Sequence, residues 1–337
     1  MVKPRPIRVS GELELIERIR RRVSGSASAG LRLGIGDDCA LLRPRPGDEL
    51  AITTDLSIAG RHFRLDWHPA ETVGHRALAR GLSDLAAMGA RPLAAFVSLG
   101  LPKELTTARI AWIDGFYEGL LALAQEFKCP LAGGDLSESP LAIADIVLVG
   151  TVKRGRALLR SGAKPGDLLY VTGTLGGAAA GLARLGTLEK QARNSRSARI
   201  TPRLMEELAP HLSPQPRIAQ GLWLAGRRAA TAAIDLSDGL STDLAHLCVE
   251  SGVAAEVDEA ALPIHAAATL DQALHGGEDY ELLFTAPPKT RVPRAIAGVP
   301  VTRIGHIVRR RARRPQVVLI SPDGSRPLEP RGWQHFS

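Results

Sequence analysis

Strand patterns and helix patterns alternate along the whole chain, and this alternation restricts the fold more than any single motif. Apolar runs at residues 143–152 and 168–172 predict strands, whereas residues 69–89 and 113–127 have the apolar spacing of amphipathic helices. Acidic residues recur where strands end. A chain of this kind forms sheets covered by helices, so we expect an α/β (α+β) protein with its ligands at strand ends.

The length and a charged connection predict two domains. The chain has 337 residues and 45% hydrophobic content, which is enough for two cores. Residues 153–167 combine basic side chains with glycines and a proline, a composition typical of a domain boundary. We therefore place the division near residue 152. Residues 1–152 and residues 153–337 each mix sheet and helix.

Hydropathy and cysteine usage predict the compartment. No apolar run of about 18 residues is present, and the basic residues 1–8 precede no apolar stretch, so neither a membrane span nor a signal peptide is indicated. Cys39, Cys129 and Cys248 lie far apart in apolar surroundings, which indicates small core residues in a reducing environment. We expect a soluble cytoplasmic protein without a membrane partner.

The net charge of +8 raises the question of a nucleic-acid partner. Residues 309–314, which contain five arginines, are the obvious basic patch. However, aromatic residues make up only 4% of the chain, which leaves few platforms for stacking bases. We interpret the arginine run as the solvated tip of a hairpin and expect no nucleic-acid partner.

Two acids follow a strand pattern near the start of the chain. Residues 31–36 alternate apolar and polar and lead into Asp37 and Asp38, and residues 43–48 form a turn before a strand at 50–55. An antiparallel hairpin would place Asp38 opposite about Thr53. Clustered carboxylates and hydroxyls of this kind are stabilised by hard divalent cations. An ordinary polar turn is the alternative.

Two further acids lie in suggestive places. Asp84 follows Leu82 within a predicted helix whose stripe of Leu78, Leu82 and Leu85 is buried, where a carboxylate is costly unless it is paired or bound to metal. Its alternative is an exposed pair with Arg80, four residues earlier. Gly133-Gly134-Asp135 would let backbone N–H groups approach an anion, although such a turn is common.

The usual phosphate-binding and hydrolytic signatures are absent. The chain has no Gly-x4-Gly-Lys-Ser/Thr loop, no Gly-x-Gly-x-x-Gly turn, no Gly-x-Ser-x-Gly elbow and no His-Glu-x-x-His pair. Many acids instead lie close to glycine, serine or threonine, and together they suit several Mg²⁺ ions that neutralise a transferring phosphoryl group. These acids are Asp37, Asp38, Asp55, Asp84, Asp135, Asp235, Asp238, Glu278 and Asp279.

In its motifs the chain resembles the thiamine-monophosphate kinase family of the aminoimidazole-ribonucleotide-synthetase-like superfamily. The matching stretches run in family order over nearly the whole chain. They are residues 11–12, 33–42, 53–55, 60–63, 82–90, 133–135, 155–167, 170–173, 234–240 and 276–283.

The resemblance implies ATP-dependent phosphorylation of thiamine monophosphate to thiamine diphosphate, by direct transfer with several Mg²⁺ ions, in a homodimer that pairs through its N-terminal sheet. By motif position, the implied metal ligands are Asp38, Thr53, Thr54, Asp55, Asp84, Asp135, Asp235 and Asp238. The implied ATP contacts are Gly134, Asp135, Arg160 and Ser237. The implied substrate contacts are His62, Glu278 and Trp333. On this basis residues 1–152 bind ATP and metal and dimerise, and residues 153–337 complete the nucleotide and substrate site.

Plainer interpretations exist for three of these residues. His62 could be an ordinary histidine, Trp333 a packing residue, and Arg160 part of the domain linker. Some motif positions also depart from the family pattern. Gly-Gly-Asp is usually followed by Thr-Thr-Arg, whereas Leu136-Ser137-Glu138 follows it here. Gly81 replaces a usual asparagine, Gly177 replaces a usual aspartate, and His275 replaces a usual serine.

Two other functions stay open beside the kinase. One is a sister activity of the superfamily, ATP-dependent activation of an amide or of another small acceptor. The matches at residues 82–90 and 276–283 favour the kinase over it, and product analysis separates the two. A basic nucleic-acid-binding protein is a distant third, which a salt-dependent electrophoretic shift would revive.

Overall fold

The structure is a computed structural model that describes residues 12–23, 30–103, 105, 110–194, 202–312 and 314–333. The helices in these ranges are α1 (Glu12–Val23), α2 (Ala70–Ala87), α3 (Ile110–Glu126), α4 (Gly177–Asn194), α5 (Pro202–Leu212), α6 (Ile218–Arg227), α7 (Leu240–Ser251) and α8 (Leu270–His275), with a 3₁₀ turn at Glu259–Ala261. Gly11, at the start of the first family motif, lies outside the described residues.

Fourteen strands are found within the described ranges, and both halves of the chain contain them. They are β1 (Leu31–Leu33), β2 (Leu41–Leu42), β3 (Asp48–Ile58), β4 (Arg91–Leu101), β5 (Leu131–Glu138), β6 (Ile143–Lys153), β7 (Leu168–Thr172), β8 (Ala232–Asp235), β9 (Ala254–Asp258), β10 (Leu282–Ala286), β11 (Ala295–Ile296), β12 (Val299–Val308), β13 (Val317–Ser321) and β14 (Gly324–Pro327). The predicted mixture of sheets and helices is confirmed.

The chain divides into two compact units. The first comprises residues 1–46, 52–81 and 92–150, and the second comprises residues 47–51, 82–91 and 151–337. The division therefore passes through helix α2 between Gly81 and Leu82. The boundary between two domains near residue 152 stays a prediction.

The first unit contains most of a four-stranded sheet with the order β3-β6-β4-β5. Helices α2 and α3 lie in direct backbone contact there. A Cβ atom on Gly74 would lie 1.8 Å from the Phe116 carbonyl oxygen, and one on Gly119 would lie 1.8 Å from the Glu71 carbonyl oxygen. Real Cβ atoms do not approach this closely, so only glycine permits this crossing.

The second unit contains an eight-stranded sheet with the order β14-β13-β9-β12-β7-β10-β8, to which β11 is added beside β12. Strand β7 lies inside this sheet and pairs with β10 and β12, both antiparallel. The residues of β8 are all buried, and Ile234 belongs to the hydrophobic core of this unit. The acidic loop 235–239 follows at the end of β8.

Two expectations about strand pairing and cysteine burial are wrong. Strand β2 pairs with β1, through Leu31 with Leu42, and not with β3, which belongs to another sheet. Cys39 is exposed, whereas Cys129 and Cys248 are buried as predicted. The periodicity that predicts a strand does not specify its partner, and Cys39 follows a turn and not a continuing strand.

The arginine run is exposed, but it is not a hairpin tip. Strands β12 and β13, on either side of the run, both pair with β9 and lie on opposite sides of it. The run therefore connects two strands that are not neighbours. Arg309, Arg310, Arg311 and Arg314 are exposed, and Arg313 lies outside the described residues.

In the part of the chain that the structure describes, no helix is both long and apolar enough to cross a membrane.

Candidate functional site

A cavity of about 1040 Å³ in the first unit brings three of the predicted site residues together. It is lined by helix α1, residues 34–40, and strands β4 and β5, and its lining includes Asp38, Gly134 and Asp135. Leu136, one of the departures from the family pattern, lines it as well. Its volume reaches the upper end of the usual range for small-molecule pockets, roughly 300–1,000 Å³.

Gly134 borders this cavity in a conformation that requires glycine. Its φ is +154°, and a Cβ atom there would lie 1.9 Å from the Val97 carbonyl oxygen. Gly134 and Val97 lie this close because β5 pairs in parallel with β4, with Gly134 opposite Val97 and Asp135 opposite Ser98. Two successive glycines therefore expose backbone along the cavity, where N–H groups can meet an anion.

Asp37 and Asp38 lie in a turn and are both exposed. The Asp38 backbone N–H donates a hydrogen bond to Asp37 Oδ1 at 2.9 Å. The preceding Gly36 has a φ of +132°, which L side chains rarely adopt. The Asp37 carboxylate thus stabilises the turn, and Asp38 follows it in the wall of the cavity.

Strand β3 divides its predicted ligands between two faces. Thr53, Asp55 and Ser57 alternate on the less exposed face, whereas Thr54 lies on the other. Asp55 Oδ1 accepts a hydrogen bond from Arg80 Nη2 at 3.2 Å. Arg80, the suggested partner of Asp84, therefore contacts Asp55.

His62 lies in the first unit, just beyond β3. Its Nδ1 accepts a hydrogen bond from the Ile58 backbone N–H at 3.1 Å, and its carbonyl oxygen accepts one from Arg76 Nη2 at 3.2 Å. Arg76 is buried, and the sequence analysis missed it. These contacts fix the turn that carries the imidazole.

In the second unit, a buried hydrogen bond positions Asp235 beside the helix that carries Asp84. Ser83 Oγ donates to Asp235 Oδ2 at 2.7 Å, and both residues are at most 2% exposed. This bond joins the last turns of α2 to the end of β8. The half-buried Asp84 is the next residue along the helix. Sequence reasoning missed Ser83, although it belongs to the motif at residues 82–90.

Asp243 concentrates negative charge beside the loop 235–239. Its Oδ2 accepts hydrogen bonds from the backbone N–H groups of Asp238 and Gly239, both at 3.0 Å. Burial raises the pKa of Asp243 well above its ordinary value, and the nearby charges of Asp235 and Asp238 raise it further. Several acids crowded in this way are the electrostatic environment that a divalent cation stabilises. No sequence motif pointed to Asp243.

The loop before β10 places Glu278 against Ser237. The Glu278 backbone N–H donates to the Ser237 carbonyl oxygen at 2.8 Å. A Cβ atom on Gly277 would lie 2.5 Å from the same oxygen, so glycine is required for this contact. Glu278 Oε2 lies 3.5 Å from Nδ1 of the buried His211, which the sequence analysis missed.

Trp333 lies next to the same loop. Its backbone N–H donates to the Asp238 carbonyl oxygen at 3.2 Å, while its side chain is 51% exposed. About half of the indole surface is therefore accessible to a ligand. The structure therefore brings Ser237, Asp238, Glu278 and Trp333 together within the second unit.

Other contacts surround Arg160 and two of the glycines that depart from the family pattern. Arg160 is exposed, and its carbonyl oxygen accepts a hydrogen bond from Ser251 Oγ at 2.9 Å. A Cβ atom on Gly81 would lie 2.7 Å from Leu148 Cδ1, and one on Gly177 would lie 3.0 Å from Pro210 Cβ. A larger residue at either position would have to displace these neighbours.

Asp279, in the loop before β10, contacts the first turn of α4 through its carboxylate. Its Oδ2 accepts a hydrogen bond from the Gly176 N–H at 2.6 Å, and its Oδ1 accepts one from the Ala178 N–H at 3.2 Å. Burial nevertheless raises the pKa of Asp279 to about 7, and the charges of Glu281 and Glu278 add to the shift. Between about pH 4 and 7, the folded protein therefore keeps a proton on Asp279 that the unfolded chain has released.

This carboxyl group predicts a pH dependence of stability. The contribution of Asp279 to the free energy of unfolding is fully present below the pKa of the unfolded chain, near 3.8, and is lost as the pH rises through about 7. Between pH 4 and 7, the free energy of unfolding should fall more in the wild type than in Asp279→Ala. Urea unfolding at several pH values measures this difference. Equal pH profiles for the two proteins would contradict it.

Among the residues that the structure describes, no three His, Cys, Asp or Glu side chains are already arranged to hold a metal ion. The donors near the loop 235–239 are carboxylates and hydroxyls, the hard oxygen ligands that Mg²⁺ prefers. Mg²⁺ usually binds through one or two carboxylates together with water and substrate phosphates, so a preformed cage is not required. The residues present therefore fit Mg²⁺.

Comparison with known proteins assigns the family. The N-terminal domain of AIR synthase related protein matches residues 36–152, and its C-terminal domain matches residues 164–318. The thiamine-monophosphate kinase of Escherichia coli (strain K12) is 42% identical over 97% of this chain and 98% of its own length. The crystal structure of thiamine-monophosphate kinase from Stenotrophomonas maltophilia K279a is 38% identical, with a TM-score of 0.76 over 90% of this chain and 95% of that one. AaThiL complexed with AMPPCP and TMP is 32% identical, with a TM-score of 0.73 over 97% of each chain. The chain belongs to the AIR synthase related protein family and, within it, to the thiamine-monophosphate kinases.

Proposed function

We propose that the protein transfers the γ-phosphoryl group of ATP to the phosphate of thiamine monophosphate, which yields thiamine diphosphate and ADP. One observation carries this proposal, namely the likeness over almost the full chain to AaThiL, which is complexed with the ATP analogue AMPPCP and with TMP. The clustering of Ser237, Asp238, Glu278 and Trp333 in the second unit supports it. An oxygen of the substrate phosphate attacks the γ-phosphorus, and the bond to the bridging oxygen of ADP breaks.

The metal in this proposal is Mg²⁺, and each unit has its own set of proposed oxygen ligands. Mg²⁺ supplies charge neutralisation at the phosphate oxygens when it is bound. The proposed ligands in the first unit are Asp38, Thr53, Thr54, Asp55 and Asp135. The proposed ligands in the second unit are Asp84, Asp235 and Asp238. The hydrogen bonds from Ser83 to Asp235 and from the loop 238–239 to Asp243 hold the acids of the second unit in place.

The nucleotide contacts are proposed from the same geometry. Gly134 and Asp135 border the cavity of the first unit, where backbone N–H groups can bind phosphate. In the second unit, Ser237 lies between the two proposed metal ligands Asp235 and Asp238. Arg160 is exposed and offers a guanidinium group to a phosphate.

The substrate contacts are proposed on chemical grounds. Thiamine monophosphate joins two aromatic rings, one of them cationic, to its phosphate. A carboxylate near the cation and an indole against a ring face recognise it without touching the transferred group. Glu278 and the exposed Trp333 provide these two groups in the second unit, and His62 is the proposed contact in the first.

Replacing Trp333 with alanine should raise KM for thiamine monophosphate and largely spare kcat and KM for ATP. Ring stacking acts about equally in the ground and transition states, so its loss weakens binding without slowing the chemical step. The rise should be roughly fivefold to a hundredfold, on the scale of about 1–3 kcal/mol for one stacked ring. Steady-state kinetics with each substrate varied in turn measure it. A lower kcat with unchanged KM would show that the C-terminal segment does not hold the thiamine rings.

The proposed reaction is tested by its product. Purified protein with ATP, Mg²⁺ and thiamine monophosphate should form thiamine diphosphate and an equal amount of ADP, as resolved by chromatography. ADP formation without thiamine diphosphate would mean that the phosphoryl group passes to water, which would contradict the kinase assignment. A product with another added acceptor would then favour the sister activity. Substitution of EDTA for Mg²⁺ should abolish the product.

We also propose a cytoplasmic homodimer. The most exposed face of β3 carries large apolar side chains, with Leu50 47%, Ile52 64% and Leu56 45% exposed. Apolar side chains aligned on one strand of a sheet favour burial against a second copy of the chain. Three cysteines without a disulfide agree with a reducing compartment. Sedimentation velocity gives the mass of the assembly, and a monomer at micromolar concentration would contradict the dimer.

A further inference from the structure

The three residues at the end of the described chain are held on the start of α7 and the loop before it. The Arg331 N–H donates to Ser241 Oγ at 3.3 Å, the Gly332 N–H to Thr242 Oγ1 at 3.0 Å, and the Trp333 N–H to the Asp238 carbonyl oxygen at 3.2 Å. A Cβ atom on Gly332 would lie 2.0 Å from that carbonyl oxygen, so the segment lies directly against the loop. We call residues 331–333 the C-terminal strap.

A side-chain contact fastens the strap to α8 as well. The guanidinium of Arg331 contacts His275 Nε2, and its Nη2 lies 3.2 Å from Asp271 Oδ1. On its other side, His275 Nδ1 is 2.8 Å from Ser241 Oγ. His275 therefore lies between the strap and the first turn of α7, and its side chain is only 9% exposed.

These contacts require one form of the imidazole. A guanidinium carries only donors, so His275 Nε2 must accept from Arg331 and cannot bear a proton. The proton of the neutral ring is then on Nδ1 and is donated to Ser241 Oγ. Ser241 Oγ accepts in addition the backbone N–H of Arg331. A single serine oxygen thus receives hydrogen bonds from both His275 and the strap.

We propose that His275 is a positioning residue, which holds Arg331 and thereby places Trp333 beside Asp238 for binding of thiamine monophosphate. This inference rests on the proposed function, because Trp333 matters only if it contacts the substrate.

The contact between His275 and Arg331 should depend on pH. The charged groups facing His275 are Arg331 on the strap, Asp271 on its own helix and Arg326 of β14. Burial lowers the pKa of His275 below its ordinary 6.5, the charges of Arg331 and Arg326 lower it further, and that of Asp271 raises it. The neutral ring is present at neutral pH and gains a proton as the pH falls through this lowered value. Nε2 then loses its ability to accept from Arg331, and the strap should loosen.

The experiment compares four variants of the whole protein. His275→Ala and Arg331→Ala should each raise KM for thiamine monophosphate roughly tenfold, with kcat and KM for ATP changed less than about twofold. The double variant should be no worse than either single variant, because both remove one contact. The control is His306→Ala, which removes an exposed histidine of the same unit. His306 pairs with Glu256, away from the strap, so the kinetic constants of this variant should match those of the wild type.

Conservative replacements and a measurement without substrate sharpen the test. His275→Gln keeps an acceptor near the place of Nε2 and should retain most of the affinity, whereas His275→Asn is too short to reach Arg331 and should behave like alanine. Between pH 7.5 and 5.5, KM should rise more steeply in the wild type than in His275→Gln. Amide hydrogen exchange in residues 331–333 should be roughly tenfold faster in His275→Ala.

Two outcomes would overturn the proposal. Unchanged exchange in His275→Ala with a raised KM would mean that His275 contacts the substrate itself, and unchanged exchange with unchanged KM would mean that it holds nothing. If the wild type made no thiamine diphosphate, the proposed function would fail separately, and faster exchange in His275→Ala would still show that His275 holds the strap.

Discussion

Replacing Asp84 with asparagine lowers kcat roughly 10²–10³-fold at saturating Mg²⁺, because the loss of one metal ligand removes several kcal/mol of transition-state stabilisation. Asp84 is half-buried and follows Ser83, whose hydroxyl group donates a hydrogen bond to the proposed metal ligand Asp235. Asp55→Asn should have an effect of similar size. Initial rates of thiamine diphosphate formation at increasing Mg²⁺ concentration measure both.

A matched control separates loss of a ligand from loss of a charge. Asp66 is a solvent-exposed acid of the first unit that pairs with Arg64, so Asp66→Asn should leave kcat within about twofold. The thermal midpoints of all three variants should stay close to that of the wild type. Near-normal turnover in both Asp84→Asn and Asp55→Asn would rule out the assignment of these residues to metal binding.

Replacing Gly134 with alanine should lower the free energy of unfolding by roughly 3 kcal/mol or more and abolish measurable ATP binding. The new Cβ atom would lie 1.9 Å from the Val97 carbonyl oxygen, at a φ of +154° that alanine does not tolerate. Strand β5 would have to move away from β4, and the wall of the cavity would move with it. Urea unfolding and calorimetric titration with AMPPCP measure the two effects.

Gly47 provides the control for this substitution. Its φ of +80° is also unfavourable for alanine, but no atom lies within 4 Å of the added Cβ. Gly47→Ala should therefore cost only the backbone strain, about 1 kcal/mol, with normal ATP binding. Equal losses of stability in the two variants would show that the close approach of β4 and β5 is unimportant.

The elements of this fold could be predicted because they depend on local periodicity. The stripe of Leu78, Leu82 and Leu85 predicted the buried face of α2, and all three residues are at most 1% exposed. Strand β7 was predicted at residues 168–172, where the structure has it. Such patterns are set by which side chains an element buries and need no knowledge of its partners.

Pairing between strands could not be predicted in the same way. Strand β2 pairs with the preceding β1 and not with the following β3, and β9 lies between β12 and β13. Both errors came from assuming that strands adjacent in sequence are adjacent in space. That assumption fails whenever another part of the chain pairs more favourably, and periodicity contains no information about that competition.

The candidate site shows the same limit. Sequence motifs pointed to Asp235, Asp238 and Glu278, because acids beside glycine and serine stand out. They did not point to Asp243 or His211, which lie in ordinary helical surroundings and reach the site only through the tertiary fold. Residues that support a site from other elements are visible only once those elements are packed together.

The central position of β7 has a consequence for how the chain is made. Strand β7 ends at residue 172, yet its partners β10 and β12 begin at residues 282 and 299. During synthesis, the sheet of the second unit cannot be completed until well over a hundred further residues have been added. Pairing across such sequence distances is slow, and the waiting strand exposes apolar side chains and unpaired backbone. Newly made chains should therefore be most prone to aggregation in the interval before β12 emerges.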